Sequence, residues 1–290
     1  LRDLQFSVPS FAFAGQSSNR RPDIVLRGIS SATRAPGFEG SLGFFVDGVY
    51  QPFPMQWNNP ILDIERLEVL YGPQDTLFGK NTIAGAVNIT TRKPGKEFGG
   101  YVTAEYGDYD YYMGRAAVDL PLIDGQLYAR IGGFFARRDG YIKNVFNGHH
   151  YQELNQQGGR LQLLYTPAAD WEFNLSLNIY SDDQAEVQAQ TIGGTYSRKD
   201  PREVNLNVDP GTQRNLYDVA FTGKHTFENG ATLESITAWS AARALYTTDE
   251  DANPFYLWKT EIYDRTRNFS QEFRFTSAAG GSFDYILGGF

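Results

Sequence analysis

From residue 98 onward the chain alternates long strand-like segments with connections that are by turns very short and very long, and few folds accept that rhythm. The segments fall at about 98–106, 111–120, 126–138, 158–166, 171–182, 214–227, 231–246, 260–277 and 283–290. After a tight first turn at Gly107-Asp108, the gaps are short at 121–125, long at 139–157, short at 167–170 and very long at 183–213. They continue short at 228–230, long at 247–259 and short at 277–282. In an antiparallel meander this gathers every tight turn at one end and every long loop at the other, the habit of barrels that cross a bilayer.

Side-chain alternation agrees. Phe173, Leu175, Leu177 and Ile179 share one strand face, and Glu172, Asn174, Ser176 and Asn178 share the other. In Thr260–Thr276 one face carries Ile262, Asp264, Thr266, Asn268, Ser270, Glu272 and Arg274, and aromatics gather on the other only near its end. Many segments exceed both the usual strand of about 5–6 residues and the roughly 9–11 needed to cross a membrane as a strand. No apolar run approaches the roughly 18 residues of a membrane helix.

Composition narrows the class further. Thirty glycines with 21 Phe and 18 Tyr suit twisted strands and turns better than helices. The absence of cysteine removes disulfides, thiolate metal sites and a cysteine nucleophile, and three histidines leave little for a His-rich metal centre. A net charge of −8 argues against a nucleic-acid backbone as partner. No cofactor is expected.

The first part differs in style. Residues 1–97 hold ten basic and nine acidic side chains, leaving 16 against 25 for the remainder, and the composition shifts near Lys93-Pro94-Gly95-Lys96. Short unlike strands at Ile24–Arg27, Phe44–Tyr50, Arg66–Tyr71 and Ala86–Arg92, punctuated by Gly and Pro, describe a small α+β unit. Asp47-Gly48 is a hairpin signal, and Gly72-Pro73, Gly79 and Gly85 read as geometric positions. The expected division is 1–95 and 96–290, giving a mainly β chain: a small α+β domain, then antiparallel transmembrane β-barrel strands, about nine of a larger barrel.

The stretches LRGI (26–29), FVDGVY (45–50) and DIERLEVLYGPQDTLFGKNTIAGAVNITTRKP (63–94) closely resemble the plug domain of TonB-dependent outer-membrane receptors. Phe98–Tyr106 resembles the first barrel strand of that family, and Phe269–Phe275 a recurring one. The resemblance implies a plug inside a barrel of about 22 strands, so the chain reads as an internal fragment without the TonB box. It implies active import across the bacterial outer membrane, without chemistry of its own. The partners would be the TonB energy-transducing protein with ExbB and ExbD, outer-membrane lipid, and a scarce ligand. A ferric siderophore leads, with glycans or corrinoids as alternatives. The rival classes are a passive porin-like barrel and a secreted all-β carbohydrate-binding protein or enzyme.

The resemblance also implies a lock between plug arginines and barrel carboxylates, and Arg27 and Glu272 stand at the matching positions; the family's second arginine is Tyr71 here. Ligand contacts are expected from Arg34, Phe38 and Glu39 in one apical loop and from Tyr50, Gln51, Phe53 and Trp57 in another. Arg34 would suit an anionic ferric chelate, and the aromatics a flat catecholate or a sugar face. Glu65 and Glu68 lie on opposite faces of one strand, which does not suit acid/base catalysis. The run Asp249-Glu250-Asp251 reads as a solvated face. His149-His150, with no third ligand nearby, is a weak metal site.

Overall fold

The computed structural model describes residues 4–13, 23–30, 40–79, 81–187, 198–281 and 283–290. The N-terminal part is two small layers. In the first, β1 (Phe11–Phe13), β2 (Ile24–Leu26) and β3 (Ile29–Ser30) pair in order, with the helical turn α1 (Leu4–Ser7) beside them. In the second, β4 (Leu42–Val46), β5 (Val49–Tyr50), β6 (Ile64–Tyr71) and β7 (Gly85–Thr91) form a sheet of order β5-β4-β7-β6. The turn α2 (Asp75–Phe78) leads from β6 toward β7. Phe11, Ile24, Leu26, Leu42, Phe44, Trp57, Val87 and Ile89 are buried together between the layers. Each layer thus buries one apolar face against the other, the usual solution for a small domain.

Local chemistry explains the turns. The segment Phe44–Tyr50 is a hairpin, as Asp47-Gly48 signalled: both residues have positive φ, at 51° and 78°, as the twist-matched two-residue turn demands. Gly85 opens β7 at φ 144°, and a Cβ there would lie 2.1 Å from the Leu70 carbonyl oxygen. No other residue fits that crossing.

The second part is one antiparallel sheet, which forms a wall. Its strands are β8 (Gly99–Gly107), β9 (Tyr111–Ile123) and β10 (Leu127–Arg138), with loop strands β11 (Ile142–Asn144) and β12 (His150–Tyr151) after them. Then come β13 (Leu154–Ala168), β14 (Trp171–Gln184), the loop strand β15 (Glu203–Val204), β16 (Gly211–Thr226), β17 (Thr232–Asp249), β18 (Lys259–Thr276) and β19 (Ile286–Gly289). Among the described residues nine wall strands pair in the order β19-β18-β17-β16-β14-β13-β10-β9-β8. The short and long connections fall where the sequence placed them. Two differences have simple causes. β13 and β17 run several residues further than their apolar pattern, because polar side chains continue the ladder beyond the apolar band. Two of the long loops also carry structure: β11 pairs antiparallel with β12 and parallel with β15, a small sheet that ties the loops together. No helix among the described residues is long and apolar enough to cross a membrane.

Register sorts the two faces of the wall. Arg160, Asn178, Asp218, Ser240 and Asn268 are partners across five adjacent strands and share the inner face. On the outer face Trp171, His225, Leu233 and Phe275 make one row. Tyr165, Phe173, Trp171, His225, Phe227, Phe275 and Tyr285 touch ring to ring along that end of the wall, an aromatic girdle at the tight turns.

Candidate functional site at the interface of plug and wall

Among the described residues, the N-terminal layers seat against the polar inner face of the wall through four ties. The first is built on the Asp47-Gly48 turn. The Asp47 carboxylate accepts from the Thr91 backbone N–H at 2.7 Å and from its hydroxyl at 2.8 Å. It also accepts from Arg160 Nη2 at 2.6 Å, and that guanidinium donates to Asn178 and to the Thr91 hydroxyl. Tight-turn geometry therefore aims one carboxylate at both its own sheet and the wall.

The second tie is Asp63, just before β6. It accepts from Arg130 Nε at 2.9 Å and from the Tyr101 hydroxyl at 2.6 Å. Arg130 also donates to Asp119, which caps the Gly95 N–H where the chain passes from plug to wall. Burial alone would raise the Asp63 pKa, but the hydrogen bonds from Arg130 and Tyr101 and the Arg130 charge outweigh it and hold it below the usual carboxylate range.

The other two ties flank these. Lys93 meets Glu172 at 2.5 Å near the tight-turn end. Nearer the long loops, the segment after β5 enters a single 3-10 turn at Pro54–Gln56. There Met55 gives its carbonyl to Arg214 Nη1 at 3.1 Å, and Gln56 Nε2 donates to Asp218 at 3.2 Å. Arg214 is fully buried, paired with Asp182 and Tyr180 on the neighbouring strand. The cleft between Gln56 and Asp218 has room of about 70 Å³, enough for a few waters, so the plug rests on the wall here.

The residues singled out from the sequence have distinct fates. Arg27 sits at positive φ in the β2–β3 turn with its guanidinium 4.6 Å from the Tyr71 ring centroid. Glu272 faces inward and meets Arg274 at 2.5 Å. Each thus has a partner other than the other one. Arg34, Phe38 and Glu39 lie outside the described residues. Tyr50 accepts from Asn81 and packs on Phe45. Phe53 packs with Met55 against Tyr180, Leu216 and Tyr246 of the wall. Gln51 and Trp57 are buried, and the Trp57 indole donates to the Gln51 carbonyl at 2.9 Å and stacks on Phe44. Trp57, 1% exposed, therefore belongs to the plug core and has no face free for a ligand in this conformation.

The loop residues also serve structure. His149 contacts Asp209, which also accepts from Tyr151 and Asn147, and no metal-holding cluster occurs among the described residues. Asp251 accepts backbone N–H groups of Trp258 and Asn253, so the acidic run shapes its own loop. Glu68 accepts from Asn88 and pairs with Arg66.

Sequence reasoning missed Asp47, Asp63, Arg130, Arg160 and Arg214 as tie residues. One signal could have found the arginines. Each sits at an inward position of a membrane-length strand, where a charge needs a partner.

An antiparallel wall with an aromatic girdle, long loops at one end, a polar inner face and a folded domain ion-paired to that face has the architecture of part of a plugged outer-membrane β-barrel. Residues 1–86 match the TonB-dependent Receptor Plug Domain family. The N-terminal part of the chain is thus similar to the plug domain of TonB-dependent receptors. Over 173 residues the chain is 46% identical to the iron-regulated outer membrane virulence protein of Vibrio cholerae, covering 58% of this chain and 25% of that protein. Over 125 residues it is 33% identical to the pesticin receptor of Yersinia enterocolitica, covering 43% and 18%. The chain thus spans a quarter or less of these relatives. The ferric yersiniabactin uptake receptor of Yersinia pestis superposes with a TM-score of 0.84 at 23% identity, over 97% of this chain and 43% of that one. The pyoverdine outer membrane receptor of Pseudomonas aeruginosa gives 0.78 at 17%, over 99% and 42%.

Proposed function

We propose that the receptor containing this chain imports a ferric siderophore across the outer membrane by TonB-dependent transport. The observation that carries the reading is a receptor plug seated by buried ion pairs on the inner face of a membrane-spanning wall. A plug held this way closes the lumen, and moving it costs energy, because separating a buried pair leaves charges uncompensated. An energised partner is therefore required, and TonB, with ExbB and ExbD, fills that place. The siderophore is favoured by the relatives' names, which speak of iron regulation, of ferric yersiniabactin uptake and of a receptor bound to pyoverdine.

In this reading residues 1–95 are the plug and 96–290 the wall. Asp47–Arg160 and Asp63–Arg130 hold the closed state, and Arg27 and Glu272 are the pair that the family resemblance assigns to the same work. Arg34, Phe38, Glu39, Tyr50, Gln51 and Phe53 are the proposed ligand contacts, with Trp57 as their scaffold. The test is uptake of labelled ferric siderophores by cells expressing the receptor, with and without an uncoupler of the proton-motive force. Uncoupler-sensitive uptake is expected. Uptake indifferent to the uncoupler would mean a passive pore, and binding of glycans or corrinoids in place of siderophores would overturn the ligand.

A further inference from the structure

The outer face of the wall changes character along one line. Starting from the Trp171, His225, Leu233 and Phe275 row, ten residues further along each strand bring the row Ser181, Asn215, Arg243 and Arg265. Between them the face is mostly Phe173, Leu175, Leu177, Ile179, Tyr217, Val219, Phe221, Trp239 and Phe269. The polar exceptions on β18 are Gln271, which is bonded to Thr237 and Ser235, and Arg267. Ten residues at about 3.3 Å each, on strands tilted about 40°, rise about 25 Å, the height of the apolar band of such barrels. The second row thus stands at the headgroup level on the long-loop side.

At that level two arginines face each other. Arg243 and Arg265 are directly opposite across β17 and β18, and Arg267 is one outward step below. Like charges at directly opposed positions repel. All three are exposed, and none has an ion-pair or hydrogen-bond partner among the described residues. Around Arg243 the outward neighbours are Ala241, Leu245, Asn215, Gln213, Tyr217, Tyr263, Arg265 and Arg267, with no carboxylate among them. The next acid on this face of β18, Glu261, is held by Lys259 at 2.7 Å.

We infer that Arg243, Arg265 and Arg267 form a binding site for the phosphate of a lipid headgroup in the outer leaflet. A phosphate between the opposed guanidiniums turns their repulsion into shared charge-assisted hydrogen bonds, and Arg is the side chain whose geometry suits that anion. Arg267 reaches the same level by extending its stem over the apolar face. Tyr263 and Trp239 border the site as interfacial aromatics. This site needs only the outer-membrane placement of the wall and is independent of which ligand the receptor imports.

The test uses the whole receptor, delipidated in neutral detergent, with phosphatidic acid as the probe, phosphatidylcholine as control and inorganic phosphate as competitor; native mass spectrometry counts retained lipid. Each basic residue near an anionic surface is worth about fivefold in affinity, so Arg243→Gln with Arg265→Gln weakens phosphatidic acid binding roughly thirtyfold. Arg243→Lys with Arg265→Lys retains most of it, and thermal midpoints in detergent confirm that both variants are folded. Binding by the Gln variant within twofold of the parent, equal retention of phosphatidylcholine, or displacement of the lipid by inorganic phosphate at equal concentration would each overturn the assignment.

Discussion

Asp47 and Arg160 are 113 positions apart in the chain, yet they meet at 2.6 Å, joining the tip of a plug hairpin to a wall strand. Arg160 is nearly buried and Asp47 largely so. Removing one partner strands the other charge, which costs about 3–5 kcal/mol. Arg160→Ala should therefore loosen the plug more than it loosens the wall. Hydrogen exchange would show this as lost protection in β4 and β7 with β13 and β14 still protected; equal loss in both would refute a tie specific to the plug.

Asp63 gives a pH signature. Its pKa is lowered in the fold, so its contribution is present above the unfolded value of 3.8 and disappears as pH falls through the folded value. The stability difference between the parent and Asp63→Asn should be constant at neutral pH and shrink below about pH 4. Melting curves from pH 6 to pH 2 would check it, and a difference independent of pH would rule out ionised Asp63 as the source.

Trp57 separates a core role from a ligand role. Trp57→Ala should destabilise the plug by about 3–5 kcal/mol, and Trp57→Phe by only about 1 kcal/mol through loss of the bond to Gln51. If the Phe variant kept its stability but lost siderophore affinity tenfold, the indole would be a ligand contact after all.

Gly85→Ala places a methyl against the Leu70 carbonyl in a conformation few residues adopt. The expected cost is about 3 kcal/mol, seen as a lower denaturant midpoint for the plug. An unchanged midpoint would mean that β6 and β7 can slide apart freely.

In the loops, burial, and then the hydrogen bond to Asp209, push the Tyr151 hydroxyl up to about 12. Its folded pKa is raised, so this contribution to stability is whole below the unfolded value of 10 and is lost as pH rises through about 12. Ultraviolet titration of the parent against Tyr151→Phe should show one tyrosine ionising late; its absence would dissolve the loop cluster.

The wall was legible because its two signals are local. Period-two patterning in Phe173–Ile179 and the alternating gaps depend on neighbours in sequence, and neither needs knowledge of distant contacts. The ties were not legible, because Asp63–Arg130 and Asp47–Arg160 join segments far apart in the chain and each residue alone resembles a solvated charge. Trp57 was misleading for another reason: QPFPMQWNN has no period, so nothing local separates an aromatic pointing into a cavity from one packed on Phe44. Arg27 and Glu272 came from resemblance, and the inward position of Glu272 was already readable from the alternation of β18.

The central pair of the plug sheet has a mechanical consequence. β4 and β7 are parallel, with Leu42 beside Gly85, while Thr91 at the far end of β7 leads into the wall. A tug arriving from the N-terminal side at Leu42, against an anchor at Thr91, loads opposite ends of that pair. Its ladder bonds then bear the load in shear, all together, rather than parting one by one like a zipper. The small sheet of β1–β3 lies upstream of that clamp, so a pull from that side loads one layer of the plug before it reaches the other.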